Sequence, residues 1–354
     1  MTSRGVFICR KDRKDVRLYH LTNGVISADI LNVGGAIVKL MVPDKNGRLA
    51  DVMLGFRELE EYTWNRASFG ALVGRYANRI GDAHFEIDGK GYDLVRNNGK
   101  NGPVVSLHGG PKSWGVDVWD VVEEETDERR LTLTLHSPDR ENGFPGNVDV
   151  KMVYSITDNN GLSLEYFAKS DRDTYVNLTN HSYFNLAGHD SGSCMDHIMT
   201  INADHYLPTD ENWIPTGELA PVKGTAFDFT VPKPLGRDID ADEEQLVIGN
   251  GYDHNFCING EGYRLCATVE DPKEGRVMRV YTTKPGVQLY TANGLAGAFT
   301  DSFGKDGARY GNRCGFCLET QYYPDSPNKP EFPDALLRAG EEYHHVTVYE
   351  FSCK

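Results

Sequence analysis

Strict alternation of apolar and polar residues is the feature that most restricts how this chain can fold. Residues 130–137 read RLTLTLHS, with three leucines on one side of an extended segment and polar residues mostly on the other. Residues 148–156 alternate in the same way, and the turn residues 158–161 precede a further alternating run at 162–166. These segments predict a half-buried strand followed by a β-hairpin.

Further strand candidates are separated by clusters of Gly, Asn, Asp and Pro at short intervals. They lie at 26–31, 36–42, 50–54, 84–87, 276–283, 287–291 and 345–351. Helical patterning is confined to brief pieces near 57–64 and 333–338. Many strands with few helices favour packed antiparallel sheets over a doubly wound α/β domain. The predicted fold class is all-β, a sandwich or a barrel.

The domain organisation follows from length and from the lack of an obvious linker. The chain has 354 residues, more than the usual single domain, although large β-sandwiches and barrels often exceed that length as one unit. No Pro/Ser-rich stretch interrupts it, and the composition does not change between its halves. We therefore predict one domain over residues 1–354.

Charge and cysteine usage restrict the partners and the compartment. The 52 acidic and 37 basic residues give a net charge of −15, which repels both nucleic acid and anionic membranes. No apolar run approaches the ~20 residues of a membrane helix, and the first residues lack a signal-peptide pattern. Seven scattered cysteines indicate free thiols. The predicted location is cytoplasmic, with no nucleic-acid or membrane partner.

Polar groups are most crowded in residues 177–188, NLTNHSYFNLAG, which otherwise read as a strand running into a turn. Such groups need hydrogen-bond partners, so His181 is either a satisfied core histidine or a functional one. In the second rich segment, 318–328 (LETQYYPDSPN), Glu319 follows an apolar run. A carboxylate there is either salt-bridged or functional, and burial would raise its pKa toward that of a general base.

The segment 74–80, GRYANRI, brings an amide and a planar guanidinium together at Asn78 and Arg79. Their natural ligands are hydroxyls and carboxylates, and a surface turn is the alternative. The glycine spacing is not GxGxxG, so dinucleotide binding is excluded. Weaker candidates in loop-like or strand sequences are His108, Asp253 and Gln288.

A metal site is not predicted, although Cys314 and Cys317 form a CxxC pair. A structural zinc site needs a second pair at ligand spacing, which the sequence does not offer. On a strand, moreover, positions three apart face opposite sides. We interpret these residues as core or edge cysteines.

Taken together, these segments resemble the aldose 1-epimerase (galactose mutarotase) family. The resemblance spans nearly the whole chain, and NHSYFNL with the later LETQ carries most of its specificity. The motifs are GRYANRI (74–80), LHGG (107–110), NLTNHSYFNLAG (177–188), GYDHNF (251–256), GVQLY (286–290) and LETQYYPDSPN (318–328). The resemblance implies a large antiparallel β-sandwich, the galactose mutarotase-like supersandwich, with few short helices, an open sugar cleft and no cofactor.

The resemblance also implies roles for individual residues. His181 matches the general acid and Glu319 the general base that open and close the ring of a free aldohexose such as galactose or glucose. Positions matching the sugar-binding set are Asn78, Arg79, His108, Asp253 and Gln288, with Ser182 and Tyr183 beside the acid. Trp213 stands where an aliphatic residue is expected, outside the matched site.

Two other functions remain open at this point. One is a non-catalytic sugar-binding or regulatory module on the same fold, because fold does not fix function. The other is a polysaccharide lyase or hydrolase, for which paired carboxylates would be the expected signature.

Overall fold

A computed structural model of the chain describes residues 5–298 and 304–354, and antiparallel strands dominate it. The predicted all-β class with few short helices is confirmed. The strands are β1 (Val6–Lys11), β2 (Lys14–Thr22), β3 (Ser27–Leu31), β4 (Ile37–Pro43), β5 (Leu49–Asp51), β6 (Ala71–Val73), β7 (Arg79–Ile80), β8 (His84–Ile87), β9 (Lys90–Asp93), β10 (Ser106–Leu107), β11 (Asp120–Val121), β12 (Arg130–Ser137), β13 (Val148–Ile156), β14 (Gly161–Ser170), β15 (Thr174–Tyr175), β16 (Thr179–His181), β17 (Ile198–Ile201), β18 (His205–Tyr206), β19 (Ala220–Pro221), β20 (Lys233–Pro234), β21 (Asp253–Cys257), β22 (Arg264–Glu270), β23 (Arg276–Thr282), β24 (Gly286–Tyr290), β25 (Cys317–Gln321), β26 (Leu336–Leu337) and β27 (Glu342–Cys353).

Helical structure in the described residues is brief. The α-helices are α1 (Glu244–Gly249) and α2 (Leu295–Ala298). Single 3₁₀ turns lie at Leu59–Thr63, Gly81–Ala83, Trp114–Val116, Glu123–Glu125, Glu141–Gly143, Lys305–Gly307 and Ser326–Asn328.

Three larger sheets form the body of the molecule. One has nine strands in the order β11-β12-β13-β14-β27-β23-β22-β17-β20, and two have five, in the orders β1-β2-β3-β4-β5 and β19-β18-β21-β24-β25. Short two-stranded pairs connect them, among them β16 with β6 and β10 with β7. These small pairs matter because they carry part of the candidate site.

The inner faces of the three sheets share one hydrophobic core. Leu133 and Met152 of the large sheet are buried with Leu21 and Ile30 of the first five-stranded sheet and with Val287 of the second. Side chains alternate between the two faces of a strand, so the period-two pattern of the sequence is what allows each strand to bury one face here.

The strongest strand predictions are confirmed and one helical prediction is wrong. The strands at 130–137 and 148–156 have the predicted bounds, and the hairpin continues at β14. The piece near 57–64 is a 3₁₀ turn. Residues 333–338 are not helical. This apolar run is too short for an amphipathic helix, and it buries Leu337 by pairing β26 with β15.

Two further observations concern the surface and the thiols. Within residues 5–298 and 304–354, no helix has the length and apolar character needed to cross a lipid bilayer. All seven cysteines are unpaired; Cys314 and Cys317 are buried in the core, as interpreted from the sequence.

Candidate active site

A cleft of about 270 Å³ opens where the sheet containing β21, β24 and β25 meets the pairs β16–β6 and β10–β7. This volume lies just below the roughly 300–1,000 Å³ found for sites of drug-sized molecules, which suits a ligand as small as a monosaccharide. The lining includes Asn78, Arg79, His108, His181, Tyr183, Asp253 and Glu319. Most of the residues that the sequence singled out are therefore neighbours in space.

His181 and Glu319 face each other at the bottom of this cleft. His181 ends β16, and Glu319 occupies the centre of β25 opposite Gln288 of β24. The distance from His181 Nε2 to Glu319 Oε1 is 3.6 Å, and the side chains are 9% and 3% exposed. Glu319 Oε2 is buried without a hydrogen-bond partner among the described residues. A buried carboxylate oxygen in that state is suited to accept a hydrogen bond from a ligand.

Burial shifts the pKa values of this pair in opposite directions. Loss of solvent lowers the pKa of His181 to about 4. Burial, together with the nearby charge of Asp253, raises the pKa of Glu319 well above its ordinary value, while Arg79 opposes that shift. Both shifts disfavour charge on the pair.

His108 is held as a neutral hydrogen-bond donor. The backbone N–H of Asn78 donates to His108 Nδ1 at 3.1 Å, so the ring proton of the neutral imidazole resides on Nε2. Burial and the neighbouring His181 and Arg79 keep the pKa of His108 well below its usual value. The next residue, Gly109, has a φ of +79°, and a Cβ there would lie 2.2 Å from the carbonyl oxygen of Gly74. The HGG motif thus needs glycine for this close approach.

Trp213 is not among the described residues that line the cleft, but it contacts one that does. Its ring lies 5.0 Å from the guanidinium carbon of Arg79, and its indole N–H donates to the carbonyl of Ile248 at 3.1 Å. The Nε–H of Arg79 donates to Asn98 Oδ1 at 3.2 Å. The indole face and the amide together fix the plane of the guanidinium, which lines the cleft. Residues so distant in sequence meet only through the fold.

Replacing Trp213 by leucine is expected to weaken binding of the sugar that the family resemblance implies. Loss of the cation–π contact frees Arg79, which raises KM roughly threefold to tenfold while kcat changes little. Steady-state kinetics on an aldohexose measure both constants. Tyr263→Leu is the matched control, because Tyr263 is an exposed aromatic residue that stacks on Tyr281. Equal KM values for the wild type and the Trp213 variant would contradict the role of Trp213 in holding Arg79.

Behind the cleft, a chain of amides orients Asp253. Gln288 Nε2 donates to Asp253 Oδ1 at 2.8 Å, and Gln321 Nε2 donates to Gln288 Oε1 at 3.4 Å and to Asn255 Oδ1 at 3.1 Å. Burial raises the pKa of Asp253, whereas Arg79 and the Gln288 hydrogen bond lower it. Gln288 is 3% exposed and is not among the described residues that line the cleft; its link to the cleft is the hydrogen bond to Asp253.

Two other polar residues from the motifs are not among the described residues that line the cleft. Ser182 is buried and donates its hydroxyl to Asn180 Oδ1. Arg75 is buried and donates to the carbonyls of Pro145 and Gly146, a structural role.

Several residues at or next to the cleft were not identified from the sequence, and three of them have chemically useful side chains. Tyr290 lines the cleft on β24, and exposed Arg66 lines it from the turn before β6. Cys317 was interpreted as a core residue, yet its Sγ is 3.5 Å from His181 Nδ1. The position of Cys317 two residues before Glu319 was a usable signal, because positions i and i+2 share a strand face.

The cleft also holds residue types that bind metal ions. Ligand atoms of His108, His181 and Glu319 lie within 4.8 Å of one another. The sequence predicts metal-free chemistry, and that stays a prediction.

Comparisons with known proteins agree with the motifs. Residues 17–350 match the family model described as aldose 1-epimerase. The chain is 47% identical over 340 residues to a galactose mutarotase of Bos taurus, with 95% of this chain and 94% of that protein covered. It is 37% identical over 345 residues to an aldose 1-epimerase of Escherichia coli (strain K12), with 96% of each covered. Among solved structures, an aldose epimerase homologue from C. elegans superposes with a TM-score of 0.85 at 31% identity, covering 96% of this chain and 99% of that one.

Proposed function

The chain belongs to the aldose 1-epimerase family, and we propose that it interconverts the α and β anomers of free aldohexoses such as galactose and glucose. It is accordingly an isomerase. The observation that carries the proposal is the buried His181–Glu319 pair at the bottom of a monosaccharide-sized cleft.

The reaction needs two proton transfers and one bond rotation. The Glu319 carboxylate takes the proton of the C1 hydroxyl while protonated His181 gives a proton to the ring oxygen, and the C1–O5 bond breaks. Rotation about C1–C2 then turns the other face of the aldehyde toward O5. The protonated Glu319 returns its proton to the carbonyl oxygen, His181 takes the proton of the O5 hydroxyl, and the other anomer forms.

The pair holds the same number of protons before and after ring opening. Imidazolium with carboxylate is the state before opening, and imidazole with carboxylic acid is the state after it. Burial favours the second state, as the shifts in the pKa values of His181 and Glu319 indicate. A sugar hydroxyl on Glu319 and the positive charge of Arg79 favour the first. Opposing preferences of this kind bring the two states closer in free energy, so that neither traps the proton.

The remaining cleft residues are proposed to bind the sugar. Arg79 and the Nε2–H of His108 donate to hydroxyl oxygens, and Asp253 accepts from hydroxyl groups. Tyr183 and Tyr290 line the cleft with aromatic rings against which the C–H side of a sugar can pack.

Polarimetry of freshly dissolved α-galactose and α-glucose tests the function directly. The protein should accelerate the approach to the equilibrium rotation, and the rate should survive dialysis against EDTA. No acceleration of any aldose in a panel would favour a non-catalytic sugar-binding module, and loss of activity with EDTA would favour a metal at His108, His181 and Glu319.

The pH dependence of kcat/KM should be bell-shaped, because the pair works with one shared proton. Below the pKa of His181, about 4, both groups are protonated and no base remains. Above the raised pKa of Glu319, both have lost their protons and no acid remains. Rates measured across this range, with circular dichroism to confirm folding at each pH, check the prediction. A fall in kcat/KM on the acidic side with its midpoint near the ordinary histidine pKa of about 6.5 would contradict the prediction.

A cytosolic location is also proposed. It is supported by seven unpaired cysteines, of which Cys353 is exposed. Fractionation of cells that express the protein would test it.

A further inference from the structure

The imidazole of His181 lies between two side chains that come from one strand. Cys317 and Glu319 are two positions apart on β25, so both side chains leave the strand on the same face. Cys317 Sγ is 3.5 Å from His181 Nδ1, and Glu319 Oε1 is 3.6 Å from Nε2. Each ring nitrogen has its own partner, and turning the ring over would break both contacts.

We propose that Cys317 is a positioning residue, which keeps Nε2 of His181 directed at Glu319 and the sugar throughout the reaction. This role rests on the acid–base function proposed above. Cys317 is 0% exposed, so its sulfur is held in place by the surrounding core.

The thiol can serve both protonation states of the ring without giving up its own proton. The proton exchanged with the sugar moves on and off Nε2, so the neutral ring that follows ring opening keeps its proton on Nδ1, and Nδ1–H donates to the sulfur of Cys317. In the protonated ring Nδ1–H donates to the sulfur in the same way, while Nε2–H faces Glu319 and the sugar. Burial, with the charges of Glu319 and Asp253, raises the pKa of the Cys317 thiol, which therefore stays protonated at neutral pH.

A thiol also shifts the protonation equilibrium of the His181 ring less than a carboxylate or a backbone carbonyl would. A carboxylate at this position would favour the imidazolium strongly, and a backbone carbonyl is a stronger acceptor for Nδ1–H than a thiol is. Sulfur is a weak donor and a weak acceptor, so it fixes orientation while leaving the proton exchange between Nε2 and the sugar almost unbiased.

The other titratable groups facing His181 come from several elements. The ring stacks on Tyr183 at 4.9 Å, and the rings of His108 and Tyr290 lie edge-on at 5.5 and 6.3 Å. Among the described residues, Cys317 is the side chain with a hydrogen bond to Nδ1.

Kinetics of Cys317→Ala, Cys317→Ser and Cys314→Ala test the role. In Cys317→Ala the ring loses its partner, so kcat should fall roughly 10- to 100-fold with KM within about twofold of the wild type. Serine restores a donor and acceptor and should recover most of kcat. Because a hydroxyl is the stronger acceptor for Nδ1–H, the acidic limb of the pH profile should move upward in Cys317→Ser. Cys314 is buried in the same core cluster, and its variant should keep the wild-type kcat and pH profile.

Imidazole ¹⁵N NMR of histidine-labelled protein gives a readout independent of activity. The His181 signals, identified by their loss in His181→Asn, should show the proton of the neutral ring on Nδ1 in the wild type and a larger Nε2–H fraction in Cys317→Ala. Equal kcat for the wild type and Cys317→Ala, or a neutral wild-type ring protonated on Nε2, would overturn the role of Cys317. A wild type that does not accelerate mutarotation would instead overturn the proposed function.

Discussion

Replacing Glu319 by glutamine should lower kcat for mutarotation by about 10²–10⁴-fold, the usual contribution of one general base. Glutamine has nearly the same shape but cannot take the proton of the C1 hydroxyl. Polarimetry measures the rate, and sugar binding by calorimetry should remain detectable because the cleft keeps its other donors.

The stability of this variant separates chemistry from folding. Burial raises the pKa of Glu319, so the folded protein holds that proton more tightly than the unfolded chain does. The contribution to stability is therefore present at low pH and is lost as pH rises toward the raised pKa. Glutamine does not titrate and so avoids this pH-dependent loss, and at neutral pH the melting temperature should equal or exceed that of the wild type.

An exposed glutamate gives the matched control. Glu341→Gln makes the same chemical change at the surface and should leave kcat unchanged. Near wild-type activity in Glu319→Gln would remove this residue from the mechanism.

Replacing His181 by asparagine should produce a loss of similar size, because the ring oxygen loses its proton donor. The structural reason is the position of Nε2, 3.6 Å from Glu319 Oε1 and on the cleft side of the ring. Since the two groups act on one reaction step, the double variant with Glu319→Gln should be little slower than either single variant. Losses that multiplied fully would contradict a joint action.

A structural histidine provides the comparison for His181. His197 is buried, and its Nε2 accepts a hydrogen bond from the backbone N–H of Leu186 at 2.9 Å. His197→Asn should lower the melting temperature while the folded fraction keeps its kcat. The opposite pattern, with His181→Asn unfolding and retaining specific activity, would return His181 to the core-residue interpretation.

Much of the fold was determined by the sequence because its signal is local. Side chains alternate along any strand, so a segment such as 130–137 displays its strand character and its buried face without reference to the rest of the chain. The one helical prediction that failed rested on a short signal. At 333–338 only a few apolar residues were available, and pairing with β15 decided their conformation.

The candidate pair was likewise visible in the sequence, since its polar groups stand in apolar, strand-like segments that call for a partner or a function. The sequence by itself thus determined the fold class, the family and the candidate residues. Only the tertiary structure decided which contacts each of those residues makes and which role it can therefore have. His181 and Cys317 are 136 positions apart, and the indole of Trp213 reaches Arg79 from another part of the chain. Which ring nitrogen faces which partner, and the direction in which burial shifts each pKa, depend on those distances and on excluded solvent, and neither is encoded in local spacing.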